Sequence, residues 1–413
     1  MRGICCFPHV FRGILTLGRL PQGRCSRIAL IFDIATCDVK EQETPSPICH
    51  SERFYREESA VSAAVGVRSP LFRLMYSLRE VRDGAGKFLM ISKKIVLVLG
   101  AGASMPFGFP LGPDLKNRIV NNLTANPDVL LAAGCREEEI PEFREALRTS
   151  GKKTIDAFLE HREEFRKIGK LAIAQELLDS EDKAKPRLYE PATTGNWYEY
   201  LFNKLNTRFE EFSQNAVSVL TFNYDRSLEY YLLNALKNSY GKTDTECAER
   251  LRSLPIVHLN GQLGELWELA SSTDDSVAFG GWSEADGNSR RWLIERASVG
   301  ISIIHDCILG KQFERAYALL READLICFLG FGYDETNLLR ISKYDPTDNE
   351  QSVIGSAKGM TDKECEIVYT IFKNLAMGCR PPRTGLDGTK RAGALDNING
   401  EALQFLRHHC PFD

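Results

Sequence analysis

The chain has 413 residues and a formal net charge of −4, with 43% hydrophobic and 26% charged residues, an ordinary composition for a soluble globular protein. The near-neutral charge argues against the extended basic surface that binding along nucleic acid requires. No apolar run approaches the ~18 to 20 residues of a membrane-spanning helix, since the best candidate, Ile28 to Ile34, is interrupted by Asp33. We therefore expect a cytoplasmic protein of two or so domains, without a membrane or nucleic-acid partner.

The 12 cysteines are scattered along the chain, and none of them form a C-x-x-C pair. Single, unpaired thiols suit a reducing compartment better than a disulfide framework. Because structural zinc modules are built from closely spaced cysteine pairs, the sequence predicts no zinc module and no bound metal.

Residues 1–89 differ in composition from the rest of the chain. No acidic residue precedes Asp33, and the segment has no sustained helical or strand periodicity. We expect a poorly ordered N-terminal extension, with Met90 as a candidate for the true start of the protein. An arginine-containing, acid-poor start is also typical of transit peptides, but the helical amphipathicity here is too weak to favour one.

The stretch KKIVLVLGAGASMPFGFPLGPD, residues 93–114, combines a strand pattern with a glycine turn. Ile95 to Leu99 are all apolar, which predicts a fully buried parallel strand. In the turn that follows, Gly100 to Ser104, little side chain covers the backbone N–H groups, so a pyrophosphate could approach closely. A nucleotide is therefore the first ligand to expect, although the third glycine of the dinucleotide fingerprint is missing and an ordinary tight turn would have the same sequence.

Helical spacing dominates the next part of the chain. Pro106 and Pro110 predict that the helix begins only after them, with Asp114 as its N-cap. Residues 127–215 are mostly helical in pattern and charged, which predicts a helical insertion lobe packed beside a nucleotide-binding sheet.

Three further buried strands are predicted, and each ends in a polar or glycine-containing cluster. The strands are Val217–Phe222, Pro255–Leu259 and Asp324–Leu329, and the clusters are Asn223-Tyr224-Asp225, Asn260-Gly261 and Gly330-Phe331-Gly332-Tyr333. The carboxyl ends of parallel strands are where open α/β sheets bind their ligands. His258 and Asn260, two apart on the third strand, are expected to share one face. Residues 346–413 predict a segment of helices and loops that packs on the domain.

The four strand ends GAGAS, TFNYD, HLNG and GFGY, taken in this order, resemble the SIR2-like (sirtuin-like) domain over about residues 93–345. The segments TIDAFLE, residues 154–160, and FNYDRSLEYYL, residues 222–232, are more similar to bacterial NAD-hydrolysing domains of anti-phage defence than to protein deacetylases. The resemblance implies an α/β fold with a Rossmann-like parallel sheet (sirtuin-type, DHS-like), a helical insertion lobe and no zinc module. It also implies NAD+ as the substrate.

The resemblance further implies a role for each site residue. The diphosphate would lie on the first turn, at Gly100, Ala101, Gly102, Ala103 and Ser104. The nicotinamide ribose would lie beside Asn223 and the carboxamide beside Asp225. The adenosine would lie on the fourth turn, at Gly330 and Gly332. His258 would be the catalytic base. In sirtuins the histidine directly precedes the glycine, whereas here Asn260 holds that place, so the register of the base is open.

Cleavage of the nicotinamide–ribose bond builds positive charge on the ribose, and it requires an oriented water and a proton acceptor. An amide such as Asn223 can hold a water or a ribose hydroxyl, and a histidine such as His258 can accept the proton. Simpler structural alternatives remain at each position: a turn or helix cap for Asn223 and Asp225, and a core histidine for His258.

From these residues we expect an NAD+ glycohydrolase with a prokaryotic anti-phage or NAD-depletion role. An NAD-dependent protein deacylase and a non-catalytic sensor of NAD+ or ADP-ribose are the alternatives, and the lack of a four-cysteine zinc module counts against the deacylase. A homo-oligomer and a sensor or activator protein encoded nearby are the partners that such a defence role would involve.

Overall fold

The computed structural model describes residues 90–190, 195–270, 276–303, 310–343, 351–374, 395–396 and 401–412. All of these lie in the unit Val81–Asp413, and the description concerns this unit alone. The expectation for residues 1–89 falls outside the described residues.

Within these ranges, six strands form one sheet in which every neighbouring pair is parallel. The strands are β1 (Ile95–Leu99), β2 (Val217–Thr221), β3 (Ile256–His258), β4 (Leu325–Leu329), β5 (Ser352–Ser356) and β6 (Leu395–Asp396). Their order across the sheet is β3-β2-β1-β4-β5-β6, which is consistent with a doubly wound, Rossmann-like fold. The prediction of an α/β protein with a parallel sheet is confirmed.

Helices occupy the connections between the strands. They are α1 (Ala101–Ser104), α2 (Gly112–Ala125), α3 (Asp128–Ala132), α4 (Glu139–Thr149), α5 (Ile155–Leu159), α6 (Arg166–Arg187), α7 (Trp197–Lys204), α8 (Ser227–Tyr240), α9 (Asp244–Arg252), α10 (Gly287–Val299), α11 (Lys311–Glu322), α12 (Glu335–Ile341), α13 (Asp362–Asn374) and α14 (Ala402–His409). Short 3-10 turns lie at Met105–Phe107, Glu163–Phe165 and Phe209–Gln214. In the part of the chain described here, no helix combines the length and apolar character needed to cross a bilayer.

The central strand β1 is buried on both of its faces, which explains its uninterrupted apolar sequence. Ile95, Leu97 and Leu99 pack into one hydrophobic cluster with helices of the β1–β2 connection and with α8 and α9. Val96 and Val98 pack into a second cluster with residues of α11, α12 and α13. Because successive side chains of a strand point to opposite faces, one apolar run supplies both cores.

The helix that follows the glycine turn begins differently from the expectation. The short α1 starts directly after Gly100, and α2 begins at Gly112 with Leu111 as its N-cap. Asp114 lies in the first turn of α2, so its prediction as N-cap was wrong. Pro113 explains the earlier start, because a proline at the first helical positions lacks only an N–H that has no helical partner there.

The C-terminal part of the sheet was missed by the sequence analysis. Ser352–Ser356 forms β5, which pairs with β4 from Leu325 to Phe328, although residues 346–413 were expected to hold helices and loops. Its sequence, SVIGS, contains two serines and a glycine and lacks the apolar run that identified the other strands. The strand therefore depends on pairing with β4 rather than on a strong local preference.

Candidate functional site

The turns after β1 and β4 lie against each other at the carboxyl edge of the sheet. The N–H of Gly102 donates to the carbonyl oxygen of Gly330 at 2.9 Å. Gly330 has a φ of 55°, and a Cβ on it would lie 2.0 Å from the backbone nitrogen of Ala103. These glycines are therefore required by the close approach of two backbone segments, independently of any ligand.

The other residues of the two turns differ in how closely they are packed. The N–H of Ala103 donates to the Gly100 oxygen at 2.9 Å, and its carbonyl accepts from Nε1 of the fully buried Trp197 at 2.8 Å. Gly332, in contrast, has open space where a Cβ would be. Of the two glycines predicted at the adenosine end, only Gly332 therefore lacks a packing requirement.

Asn223 connects the ends of three strands. Its Nδ2 donates to the Gly100 carbonyl at 3.0 Å and to the Ser104 hydroxyl at 3.1 Å. The backbone carbonyl oxygen of Asn223 lies 2.9 Å from Nδ1 of His258. The predicted ribose-binding amide, the glycine turn and the predicted catalytic histidine are thus immediate neighbours at the ends of β2, β1 and β3.

The His258 side chain is buried, and both of its ring nitrogens have partners. Nδ1 contacts the Asn223 carbonyl, and Nε2 lies 2.6 Å from Oε1 of Glu229 in the first turn of α8. Burial by itself lowers the pKa of His258, but the Glu229 carboxylate and the two hydrogen bonds outweigh it, so the pKa is raised. The folded protein therefore keeps the proton on His258 up to a higher pH than a free imidazole does.

Asp225 lies just before α8 and holds the start of that helix. Its Oδ1 accepts hydrogen bonds from the N–H of Ser227, at 3.2 Å, and from the Ser227 hydroxyl. That hydroxyl is also bonded to the Tyr198 hydroxyl at 2.7 Å. Burial raises the pKa of Asp225 although hydrogen bonds from Ser227 and Ser104 act in the opposite direction. The N-cap role considered for Asp225 was wrong, because Arg226 is the N-cap of α8. Asp225 instead forms a turn with Ser227, and it also lines the cavity described next.

A small cavity lies between the ends of β1 and β2 and the start of α8. Its lining combines polar side chains of the predicted site with apolar residues of the strands and of α8. The lining residues are Leu99, Ser104, Tyr198, Val219, Thr221, Asn223, Asp225, Leu228, Glu229 and Ile256. The space has room for about one water molecule. A nicotinamide ring would require the lining to move apart.

Asn260 does not share the surroundings of His258. Its Nδ2 donates to the Phe222 carbonyl at 3.3 Å, and its Oδ1 accepts from NH1 of Arg340 in α12 at 3.0 Å. Because β3 ends at His258, the strand alternation that would place the two side chains on one face does not continue to Asn260. Asn260 is thus bonded toward α12, whereas His258 is bonded toward α8.

A buried ion pair that was not anticipated from the sequence fixes the start of α8. Arg226 is 1% and Glu181 0% exposed, and Nε and NH2 of Arg226 donate to the two carboxylate oxygens of Glu181 at 3.0 and 2.6 Å. NH1 of Arg226 donates to the Val277 carbonyl at 2.5 Å. The pair connects the start of α8 to α6 and to the chain at Val277.

Glu229 is the functional candidate that the sequence analysis missed. An acidic residue in the first turn of a helix is expected from the helix dipole alone, so nothing local distinguished it. The available signal was its place four residues after Asp225, just inside the helix that follows the second strand end.

Comparison with models of known protein families and with curated protein sequences gives no match to this chain. Within the described ranges, histidine, cysteine, aspartate and glutamate side chains form no group of three or more that could hold a metal ion.

Proposed function

We propose that this chain is an NAD+ glycohydrolase that cleaves the nicotinamide–ribose bond with water, with a role in prokaryotic anti-phage defence or NAD+ depletion. The observation that supports the proposal is the position of Asn223, whose amide and carbonyl groups bond to Gly100, Ser104 and His258 at the ends of three parallel strands. The carboxyl edge of a doubly wound sheet is where nucleotides bind.

The charge of the site suits this reaction. As the bond between the ribose and nicotinamide breaks, the ribose becomes positively charged, and Asp225 and Glu229 place two carboxyl groups beside Asn223. A carboxylate fixed next to a developing cation stabilises it more strongly in a water-poor cavity than in bulk water. In this proposal the turn from Gly100 to Ser104 lies at the diphosphate, and Gly332 lies at the adenosine end.

A non-catalytic sensor of NAD+ or ADP-ribose is the second candidate, and two observations favour it. The ring nitrogens of His258 are both bonded within the protein, and the cavity has room for about one water molecule. A binding protein would need neither a free base nor a catalytic water.

The test is to incubate the purified full chain with NAD+ and to measure free nicotinamide, with and without an acetylated peptide. Release without peptide supports the glycohydrolase, and calorimetric binding without release supports the sensor. Release only with peptide would indicate a deacylase. Neither release nor binding would contradict both proposals.

Asn223→Ala tests the residue on which the proposal rests. Removing the orienting amide is expected to lower kcat by on the order of 10²-fold or more. The matched control is Asn238→Ala, on the exposed face of α8, which should retain wild-type release. If overexpression of the chain is toxic to bacteria, Asn223→Ala should relieve the toxicity and Asn238→Ala should not.

A further inference from the structure

The hydrogen bonds of His258 engage both of its ring nitrogens. The Asn223 carbonyl oxygen can only accept, so Nδ1 of His258 carries a hydrogen. Nε2 lies 2.6 Å from Oε1 of Glu229, and the interaction with that side chain raises the pKa of His258. Both ring nitrogens are therefore engaged by protein partners, and neither is free to accept a proton from a substrate water.

Glu229, in contrast, faces the space where a substrate atom would enter. It lines the cavity together with Ser104, Asn223 and Asp225, whereas His258 is not among the lining residues in the part of the chain that the structure describes. Glu229 therefore lies between the cavity and His258.

The two carboxyl groups that line the cavity, those of Asp225 and Glu229, differ in their bonding partners. Asp225 accepts two hydrogen bonds from Ser227 and thereby holds the start of α8. Glu229 makes one ion pair, with His258, and this pair fixes the side-chain position and supplies a compensating positive charge. The group that is both charge-balanced and directed at the cavity is thus Glu229.

We propose that Glu229 is the catalytic residue that contacts the reacting ribose and water, and that His258 is a positioning residue that holds it. This inference rests on the glycohydrolase function proposed above. When the bond from the ribose C1′ to the nicotinamide nitrogen breaks, its electron pair leaves with nicotinamide, which becomes neutral. Water then bonds to C1′ and gives one proton to the Glu229 carboxylate, which later releases it to solvent.

The experiment compares Glu229→Gln and His258→Gln for nicotinamide release and, by calorimetry, for NAD+ binding. Glu229→Gln should lower kcat by on the order of 10²- to 10⁴-fold while the dissociation constant for NAD+ changes by less than about threefold. His258→Gln keeps an amide donor for Glu229, so the Glu229 side chain is only misplaced. The decrease in kcat should therefore be about ten times smaller than in Glu229→Gln. Glu249→Gln, at an exposed position of α9, is the matched control and should release nicotinamide at the wild-type rate.

The pH profile separates positioning from a merely structural role. The titratable groups facing His258 are Glu229 and Asp225, and their charges favour the imidazolium. In the wild type, kcat should therefore fall on the alkaline side as the imidazolium loses its proton, and His258→Gln should abolish this alkaline limb. A pH titration of histidine-labelled wild-type protein, followed by nitrogen NMR, should show that His258 loses its proton above the ordinary pKa of 6.5, and it requires no variant to fold.

Three results would overturn the inference while leaving the glycohydrolase in place: release that survives Glu229→Gln, a larger loss in His258→Gln than in Glu229→Gln, or a His258 imidazole that loses its proton below pH 6.5. If Glu229→Gln does not fold, Glu229→Asp replaces it, since that variant keeps the charge and withdraws it from the cavity. Wild-type protein that releases no nicotinamide would overturn the function and the inference together.

Discussion

The N–H of Gly102 donates to the carbonyl oxygen of Gly330 at 2.9 Å, so the turns that end β1 and β4 are in direct backbone contact. The order of strands in the sheet reverses between these two, which is the position where open α/β folds form their ligand crevice. The two turns meet there next to Asn223, whose Nδ2 donates to the Gly100 carbonyl at 3.0 Å.

Replacement of Gly330 by alanine should destabilise the protein severely. The new Cβ would lie 2.0 Å from the Ala103 nitrogen, on a residue with φ of 55°, and backbone atoms cannot yield as a flexible side chain can. We expect a loss of at least about 3 kcal/mol in the free energy of unfolding, measured by urea denaturation. Gly332→Ala is the control, because it meets no neighbouring atom and should keep wild-type stability. Equal stability of the two variants would contradict the observed packing.

Breaking the Arg226–Glu181 ion pair on one side should also be costly. Arg226→Met leaves the Glu181 carboxylate buried without its cation, and such losses amount to about 3 to 5 kcal/mol. Adding Glu181→Leu removes the stranded charge, so the double variant should recover part of the loss. Recovery should be incomplete because the Val277 carbonyl also loses its donor. Denaturant unfolding of both single variants and the double variant measures this coupling.

The pair of His258 and Glu229 should make stability depend on pH in a defined direction. The pKa of His258 is raised above the ordinary value of 6.5, so its stabilising contribution is complete below about pH 6.5 and is lost as the pH rises through the folded-state pKa. The difference in unfolding free energy between the wild type and His258→Gln should therefore be largest in mild acid and shrink toward alkaline pH. A difference that grows with pH would contradict this. His161→Gln, at an exposed histidine, serves as the comparison.

Trp197→Phe should loosen the first glycine turn without removing its glycines. The substitution deletes the Nε1 donor to the Ala103 carbonyl and leaves that oxygen without this partner in a buried setting. We expect a loss of about 1 to 3 kcal/mol, measured as a lower midpoint of urea unfolding. Trp292→Phe, at a half-exposed position of α10, should have little effect and controls for loss of an indole.

The strands near the site could be predicted from the sequence because their evidence is local. β1, β2 and β4 are buried runs, and each lies within one residue of its predicted bounds. β5 was missed because its short, serine-containing sequence becomes a strand only beside β4. Helix starts were less certain for the same reason, since Asp114 and Pro113 both carry signals of a helix start and only the folded chain shows which one prevails.

The site could be predicted only in part, because side-chain partners depend on three-dimensional register. The sequence predicted that Asn223 and His258 both lie at strand ends of one site, and the His258 ring contacts the backbone carbonyl of Asn223. The partner of His258, Glu229, is 29 positions away, and the partner of Arg226, Glu181, is 45 positions away. No periodicity in the sequence connects such distant residues.

The guanidinium of Arg226 has a consequence for how the cavity could admit anything larger than water. It bonds to Glu181 on α6 and to the carbonyls of Val277 and Ala278, while the residue before it, Asp225, lines the cavity. A tilt of the start of α8 would have to detach these bonds. Rotation of the partly buried Asn223 side chain breaks only its two hydrogen bonds, to Gly100 and Ser104, and is the less costly route of entry.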